Sequence, residues 1–367
     1  LLSNLVLRKN NRQYRHLERV FFSVYPQMFT KDGLDMKYGD FVDKQDHYLV
    51  SILVDGMHQR ASITEYVKWC REAISRGFLV IDQHLAFQDL ALGSYWLCRL
   101  WWFLFSQRDK AYVFKNIDIS GLIQTELLFS VSRVMRLCVL KEGLRRFLDE
   151  NRVKELVYYP CEYPLGRMIS FVAASTDSEI LRTGFQMGAY SQRRLEQFLA
   201  PGEGSAKGPF LYHAPIPDRI LAENAEAASI YRYAGYRNVD IMDTVYRSAY
   251  LEGITAEKRA GWILIAPGLH DGAMMLEQLR GEINDHLDNT YLFKPHPRAD
   301  NRYLTEWSYM NNLRVSTQPI ETLLTVVSHV YVTYSSVGVE AQCLGVDVTV
   351  IDVPGRVNTS SLLDLEC

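Results

Sequence analysis

The sequence predicts an α/β protein of two doubly wound domains, each built on a parallel sheet. Three observations carry this. Short apolar runs alternate with stretches of helical periodicity, the pattern of parallel strands joined by crossover helices. The 367 residues exceed what one hydrophobic core ordinarily serves. In the C-terminal third, polar or Gly/Pro clusters follow strand after strand, where doubly wound sheets place their ligands.

Taken in order, strands are expected at His47–Val54, Gly77–Ile81, Glu155–Tyr159, Ile180–Phe185 and Arg219–Ala222. Apolar residues recur at three-to-four spacing through Val134–Glu150, with Asn151 as the stop. Ala200–Gly208 (APGEGSAKG) reads as a mobile loop. From about residue 255 the pattern sharpens. Strands are expected at Trp262–Ala266, Thr290–Lys294, Leu313–Ser316, His329–Tyr334 and Val348–Asp352. Helices at about Ala273–Leu287, Ile320–Val327 and Val337–Leu344 separate several of them. The expected domains are residues 1–255 and 256–367.

Bulk composition narrows the function classes. With a net charge of −3, no global basic field attracts nucleic acid or an anionic membrane. Six cysteines form no C-x-x-C pair and lie in apolar contexts, which predicts reduced core thiols in a cytoplasm and no zinc site. Leu90–Phe105 (LALGSYWLCRLWWFLF) is apolar but broken by Arg99 and short for a span. A buried helix is the favoured reading; the rival is a surface that touches a membrane or a lipid-linked acceptor. The chain begins without Met and ends soon after its last expected strand, so one reading makes it a module of a longer synthase.

Two loops carry chemistry. In Tyr334-Ser335-Ser336-Val337-Gly338-Val339-Glu340, a strand runs through two serines into a helix. The first-turn N–H groups of such a helix lack partners and its dipole is positive there, so an anion is favoured. Glu340, about one turn in, would lie where ribose hydroxyls are reached. A plain Ser N-cap is the competing reading. In Lys294-Pro295-His296-Pro297-Arg298, two prolines hold His296 rigidly between two cations. That arrangement suits binding a phosphate or protonating a leaving one; an exposed loop histidine is the plain alternative. The two loops are expected on adjacent strand ends, with Gly268 ending a third strand nearby.

The pair KPHP after a strand and YSS-x-G-x-EA before a helix resembles the C-terminal half of bacterial GT-B glycosyltransferases of surface polysaccharides. The β-Kdo transferases of capsule and O-antigen assembly, which use CMP-Kdo, are the nearest likeness. Polysialyltransferase-like and teichoic-acid-polymerase-like enzymes carry related motifs. The similarity is strong over about Thr290–Val353, including Cys343–Val348 (CLGVDV), and weaker at Tyr159–Glu162, Gly184–Gln186 and Pro215–Arg219. It implies two Rossmann-like domains with the active site in the cleft between them. It further implies that Lys294, His296, Ser335 and Ser336 contact the CMP phosphate, that Glu340 holds the ribose and that Gln318-Pro319 lies near the cytosine. Gly268 and Arg298 complete the expected nucleotide site. Related enzymes often carry histidine after the Gly-aromatic-Gln step, where this chain has Met187. The implied partners are CMP-Kdo and a glycan acceptor, lipid-linked, at the inner face of the bacterial inner membrane, with no nucleic acid. Rival readings are a sialyl- or CDP-glycerol-type transferase and a non-catalytic scaffold module.

No D-x-D motif is present, which fits a CMP donor handled without a metal or other cofactor. A carboxylate is still needed, as nucleophile or as base. Glu162, past the strand ELVYY, and Asp218, held by Pro215-Ile216-Pro217, rank together, and Asp55 comes third. Asp82 also ends a strand, and for each of these a turn or cap role competes. Asp218 precedes its strand, which would put it on the other edge of the sheet. Arg182, Arg193 and Arg194 are candidates to neutralise an anionic sugar or acceptor.

Overall fold

The computed structural model describes residues 15–30, 32–52, 62–160, 164–176, 179–194, 197–199, 203, 216–255, 257, 259–296 and 299–363. These residues fall into two compact units. The first is drawn from Leu1–Gln186, Leu199–Leu221 and Tyr236–Asp240, the second from Met187–Phe198, Ala222–Gly235 and Ile241–Cys367. The chain therefore passes between them more than once.

In the first unit the strands are β1 (Arg15–Val24), β2 (His47–Ser51), β3 (Leu79–Val80), a separate antiparallel hairpin of β4 (Val113–Phe114) and β5 (Ile117–Asp118), then β6 (Asn151–Tyr158), β7 (Leu181–Phe185), β8 (Arg219–Ala222) and β9 (Val239–Ile241). The main sheet has the order β3-β2-β1-β6-β7-β8-β9, and its pairings from β3 to β8 are parallel. One of its inner strands, β1, is absent from the sequence expectation. The segment begins among charges (Arg15, Glu18, Arg19), yet Leu17, Val20, Phe21 and Phe22 are buried. Strand order reverses between β1 and β6, the switch point of the unit.

Helices α1 (Ile63–Ser75), α2 (Phe87–Gln107), α3 (Ser120–Glu150) and α4 (Pro164–Ala174) accompany this sheet. The first starts at a capping box: Ser62 Oγ accepts from Glu65 N at 3.2 Å, and the Glu65 carboxylate accepts from Ser62 N at 2.8 Å. Asn151 ends α3 as expected, with Nδ2 donating to the Phe147 carbonyl at 2.8 Å. Leu140, Leu144 and Phe147 of α3 pack with Leu17, Val20 and Leu156 of the strands.

The favoured reading of Leu90–Phe105 as a buried helix is overturned. The segment forms α2, in which only Asp89 and Gly93 are buried. Among the described residues no helix is long and apolar enough to cross a membrane. The thiol expectation also divides: Cys70 is buried, whereas Cys98 and Cys343 are exposed.

The second unit repeats the design with β10 (Arg259–Ala266), β11 (Thr290–Phe293), β12 (Leu313–Val315), β13 (Val327–Val332) and β14 (Asp347–Val350). All pairs are parallel in the order β12-β11-β10-β13-β14. Around them are α5 (Ala225–Tyr233), α6 (Gly272–Asp285), α7 (Ile320–Val326) and α8 (Val337–Cys343). Both faces of the sheet are covered, one by a cluster with Leu264, Leu324 and Val330, the other by a cluster with Ile265, Met275 and Phe293. Burial on both faces is why these strands read as near-continuous apolar runs. The two α/β units with parallel sheets are those the sequence pattern predicts.

Candidate functional site

In the second unit the order reverses between β10 and β13, so ligands are expected at the C-terminal ends of these strands. The two motif loops leave from β11 and β13. They are not on adjacent strands, as expected from sequence, because β10 lies between them. Two strand spacings amount to about 10 Å. A ligand that touches both loops through their backbones has to be longer than a lone phosphate, as a nucleotide is.

Several predicted residues come together here. Lys294, half-buried at the end of β11, donates from Nζ to the Gln318 carbonyl at 2.6 Å and from its backbone N to the Ile265 carbonyl at 2.9 Å. The loop after β11 is thereby tied to the turn after β12, where Gln318 N donates to Ser316 Oγ at 3.2 Å and Pro319 caps α7. His296 follows within the same loop and is half-buried. Arg298 lies outside the described residues.

The serine loop differs from its expected form. Ser336 precedes α8 in helical conformation without capping it. Its hydroxyl turns instead to Glu340 Oε1 at 3.4 Å, and Val337 N reaches Ser335 Oγ at 3.4 Å. Gly338 N donates to the Ser335 carbonyl, and the N–H groups of Val339 and Glu340 donate to that of Ser336. The first turn of α8 thus satisfies its N–H groups internally, contrary to the open donors expected there. The hydroxyls, held only by long bonds, remain the adaptable groups of this loop. Glu340 is 8% exposed.

Gly268 N donates to Thr333 Oγ1 at 3.0 Å, linking β10 and β13 across the switch point. A Cβ on Gly268 would lie 2.3–2.7 Å from the Tyr334 ring. Close packing of this ring, rather than approach of a phosphate, accounts for the glycine. Burial raises the pKa of the Tyr334 phenol, and the backbones of Leu269 and His270 hydrogen-bond its hydroxyl. Sequence reasoning missed Asp271, which is buried before α6 and accepts from Arg356 at 2.8 Å. The signal was Leu269-His270-Asp271 directly after the β10 turn; Arg356, remote in sequence, gave none. Among the described residues no group of three or more His, Cys, Asp or Glu side chains could hold a metal ion.

In the first unit, Asp55 and Glu162 lie outside the described residues. Asp218 stands at the N-terminal edge of its sheet, opposite the edge where ligands gather. Its carboxylate accepts from Arg182 N at 2.9 Å, from Nε at 2.8 Å and from a second guanidinium nitrogen. Burial pushes the carboxyl upward, but these bonds and the charge of Arg182 hold it below the usual range. Arg182 is equally occupied. In the second unit, Arg193 donates to the Asn358 carbonyl at 3.4 Å.

The switch point between β1 and β6 holds a group that sequence reasoning passed over. Asp35, wholly buried, accepts from Lys37 N at 2.8 Å, Tyr38 N at 3.1 Å, the Tyr159 hydroxyl at 3.0 Å and the Ser23 hydroxyl. Tyr38 and Tyr159 stack at 4.8 Å. Burial raises the carboxyl of Asp35 above its ordinary range although all four bonds pull it down. Asp82, at the end of β3, is a second closed case. It accepts from Ile52 N and from the Tyr66 hydroxyl, each at 3.0 Å, and burial likewise raises its pKa.

No protein-family model and no curated protein sequence matches the chain. Among solved structures, it is similar to the glycotransferase of kitacinnamycin (12% identity, TM-score 0.48, 96% of this chain and 85% of that one). It is also similar to UDP-N-acetylglucosamine 2-epimerase from Rickettsia bellii (11%, 0.45, 91% and 78%) and to MurG of Acinetobacter baumannii (9%, 0.46, 95% and 82%). These likenesses concern the α/β architecture and assign no reaction.

Proposed function

We propose that the chain is a metal-independent glycosyltransferase of the GT-B kind, moving Kdo from CMP-Kdo to a bacterial surface glycan of the O-antigen or capsule type as a β-linked residue. One observation carries this reading. The structure gathers Gly268, Lys294, His296, Gln318, Ser335, Ser336 and Glu340 onto the C-terminal edge of one parallel sheet, around its switch point. On that edge the fixed ammonium of Lys294 and the half-buried imidazole of His296 face a departing phosphate. The hydroxyls of Ser335 and Ser336 supply donors, and Glu340 accepts from ribose. Stabilising the charge that develops on a leaving phosphate by such preset donors is worth roughly 2.7–4 kcal/mol per donor in enzymes generally.

For the carboxylate, the occupation of Asp218 by Arg182 turns the reading toward Glu162. In sequence it follows the last residue of β6 by four positions, and Asp55, four positions past the end of β2, is its rival. A carboxylate there acts as nucleophile or as base toward the acceptor. On this reading the enzyme works in the cytoplasm at the inner face of the bacterial inner membrane, on a lipid-linked acceptor.

CMP at a hundred times its Kd is expected to stabilise the protein by about 2.7 kcal/mol, measured as a rise in melting temperature. Ser335→Ala combined with His296→Ala abolishes that rise without lowering the melting temperature of the free protein. A rise that survives the double substitution overturns the donor site. Turnover compared across CMP-Kdo, CMP-sialate and CDP-glycerol decides the donor, and turnover only with another donor overturns Kdo. A Kdo adduct in the intact mass after incubation without acceptor, lost in Glu162→Gln, marks a covalent route.

A further inference from the structure

The region between α2 and α3 shows an inverted distribution of apolar residues. These helices form a two-helix hairpin closed by β4 and β5. Along α2, Gly93, Leu97, Leu100 and Leu104 recur at four-three-four spacing and are among its shielded positions. On α3, Ile123, Leu127 and Val131 are shielded in turn. A Cβ on Gly93 would lie 3.1 Å from the Met135 side chain and 3.2 Å from its carbonyl, so the helices approach closely there. The seam takes up part of the aliphatic residues, and the largest rings are left outside it. Trp101, Trp102 and Phe105 are exposed on α2, as are Leu122, Leu128 and Phe129 on α3, with Trp102 75% and Phe105 71% exposed.

The tip continues the pattern. Lys115 and Asn116 take positive φ, 46° and 64°, as the central residues of a two-residue type I′ hairpin turn must. Around this turn Val113, Phe114 and Ile117 are each more than half exposed. Monomeric soluble proteins rarely show contiguous apolar surface on this scale without a partner.

Charge selects the partner. Between Arg99 and Phe129 there are four cations (Arg99, Arg108, Lys110, Lys115) against three carboxylates (Asp109, Asp118, Glu126), in a chain of net charge −3, and Arg108 pairs with Asp109 at 3.4 Å. The cations lie beside the rings: Arg99 is 5.2 Å from the Trp96 ring, Arg108 5.9 Å from Phe105 and Lys115 5.6 Å from Phe114. A second copy meeting this patch about a two-fold axis would set the same cations against themselves. Tryptophan and phenylalanine among basic residues suit the headgroup layer of an anionic bilayer, where rings bury to shallow depth and cations meet phosphates.

We infer that the α2–α3 hairpin is a membrane-docking device that seats its aromatic tip in the interface of an anionic bilayer without crossing it. This names a physical surface for the peripheral location proposed above and stands independently of donor identity. The full chain is floated with phosphatidylcholine vesicles, with and without phosphatidylglycerol. It is expected to float with the anionic vesicles, to shift its tryptophan emission to the blue, and to release as salt rises. Trp102→Ser/Phe105→Ser/Phe114→Ser is expected to weaken vesicle binding by at least about tenfold, with the melting temperature and the response to CMP unchanged. Lys110→Glu/Lys115→Glu is expected to lose the preference for anionic lipid. Absence of flotation, equal binding to both vesicle types, or a dimer in solution that the triple substitution dissolves while vesicles are ignored would each overturn the inference. Because CMP binding is read separately, failure here and failure of the donor site are distinguishable.

Discussion

Both sheets reverse their strand order at one point, β1 against β6 and β10 against β13, and they fill that point in opposite ways. At the first, Asp35 and its four donors, with the Tyr38–Tyr159 stack, close the edge with buried and satisfied groups. At the second, Lys294, His296, Ser335 and Ser336 are half-buried, and the serine hydroxyls hold bonds of 3.4 Å. A network whose capacity is spent internally stabilises the fold. The two serine hydroxyls, held by longer bonds at the same topological place, have capacity left for a ligand. Shared topology therefore does not make the two places equivalent, and hydrogen-bond saturation separates them.

Substitutions can break or sharpen this contrast. The largest effect is expected for Asp35→Ala, which leaves two hydroxyls and two backbone N–H groups buried without their acceptor. A loss of about 3–5 kcal/mol, in the range for breaking buried charged networks, should appear in urea denaturation. A loss below about 1 kcal/mol would mean that the edge of the first unit is not held this way. Next comes Gly268→Ala, whose Cβ forces the Tyr334 ring aside, at about 1–3 kcal/mol for overpacking. Adding Tyr334→Ala should return most of that loss in a double-mutant cycle. Additive losses would show that the ring is not the obstacle.

The smallest effect is expected for Asp218→Asn, under about 1 kcal/mol for a pair this exposed to solvent. Its pH dependence is more telling. The folded-state pKa of Asp218 is lowered, so its contribution is complete above the unfolded carboxylate value and is lost as pH falls through the folded one. The stability gap between wild type and variant should therefore shrink on acidification below the carboxylate range. A gap that grows there would contradict the pairing with Arg182. Asp35, with a raised folded-state pKa, has the opposite sign: its contribution declines as pH rises through that value.

The strands and helices of the second unit were legible because their burial pattern is written locally. Each of the expected helices beginning near residues 273, 320 and 337 lies within one or two residues of an observed one. The KPHP and YSS loops could be placed at strand ends for the same reason. The inner strand β1 was not legible, since its charged start masks a short apolar run whose burial depends on β2 and β6. Asp35 was likewise invisible: its partners Ser23, Tyr38 and Tyr159 include one 124 residues away. The aromatic run in α2 was misjudged because composition records that residues are apolar and not which surface covers them.

By itself, the sequence determined the α/β class, the elements beyond residue 255 and the residue types available to meet a phosphate. These follow from local periodicity and turn chemistry. Tertiary structure alone decided that β10 separates the two motif loops, that the first turn of α8 is already satisfied, and that Asp218 belongs to Arg182. It also decided that Asp35 fills the switch point of the first unit while the rings of α2 face outward. Each of these depends on which distant groups share a hydrogen bond or cover a surface, and no local pattern along a chain encodes that.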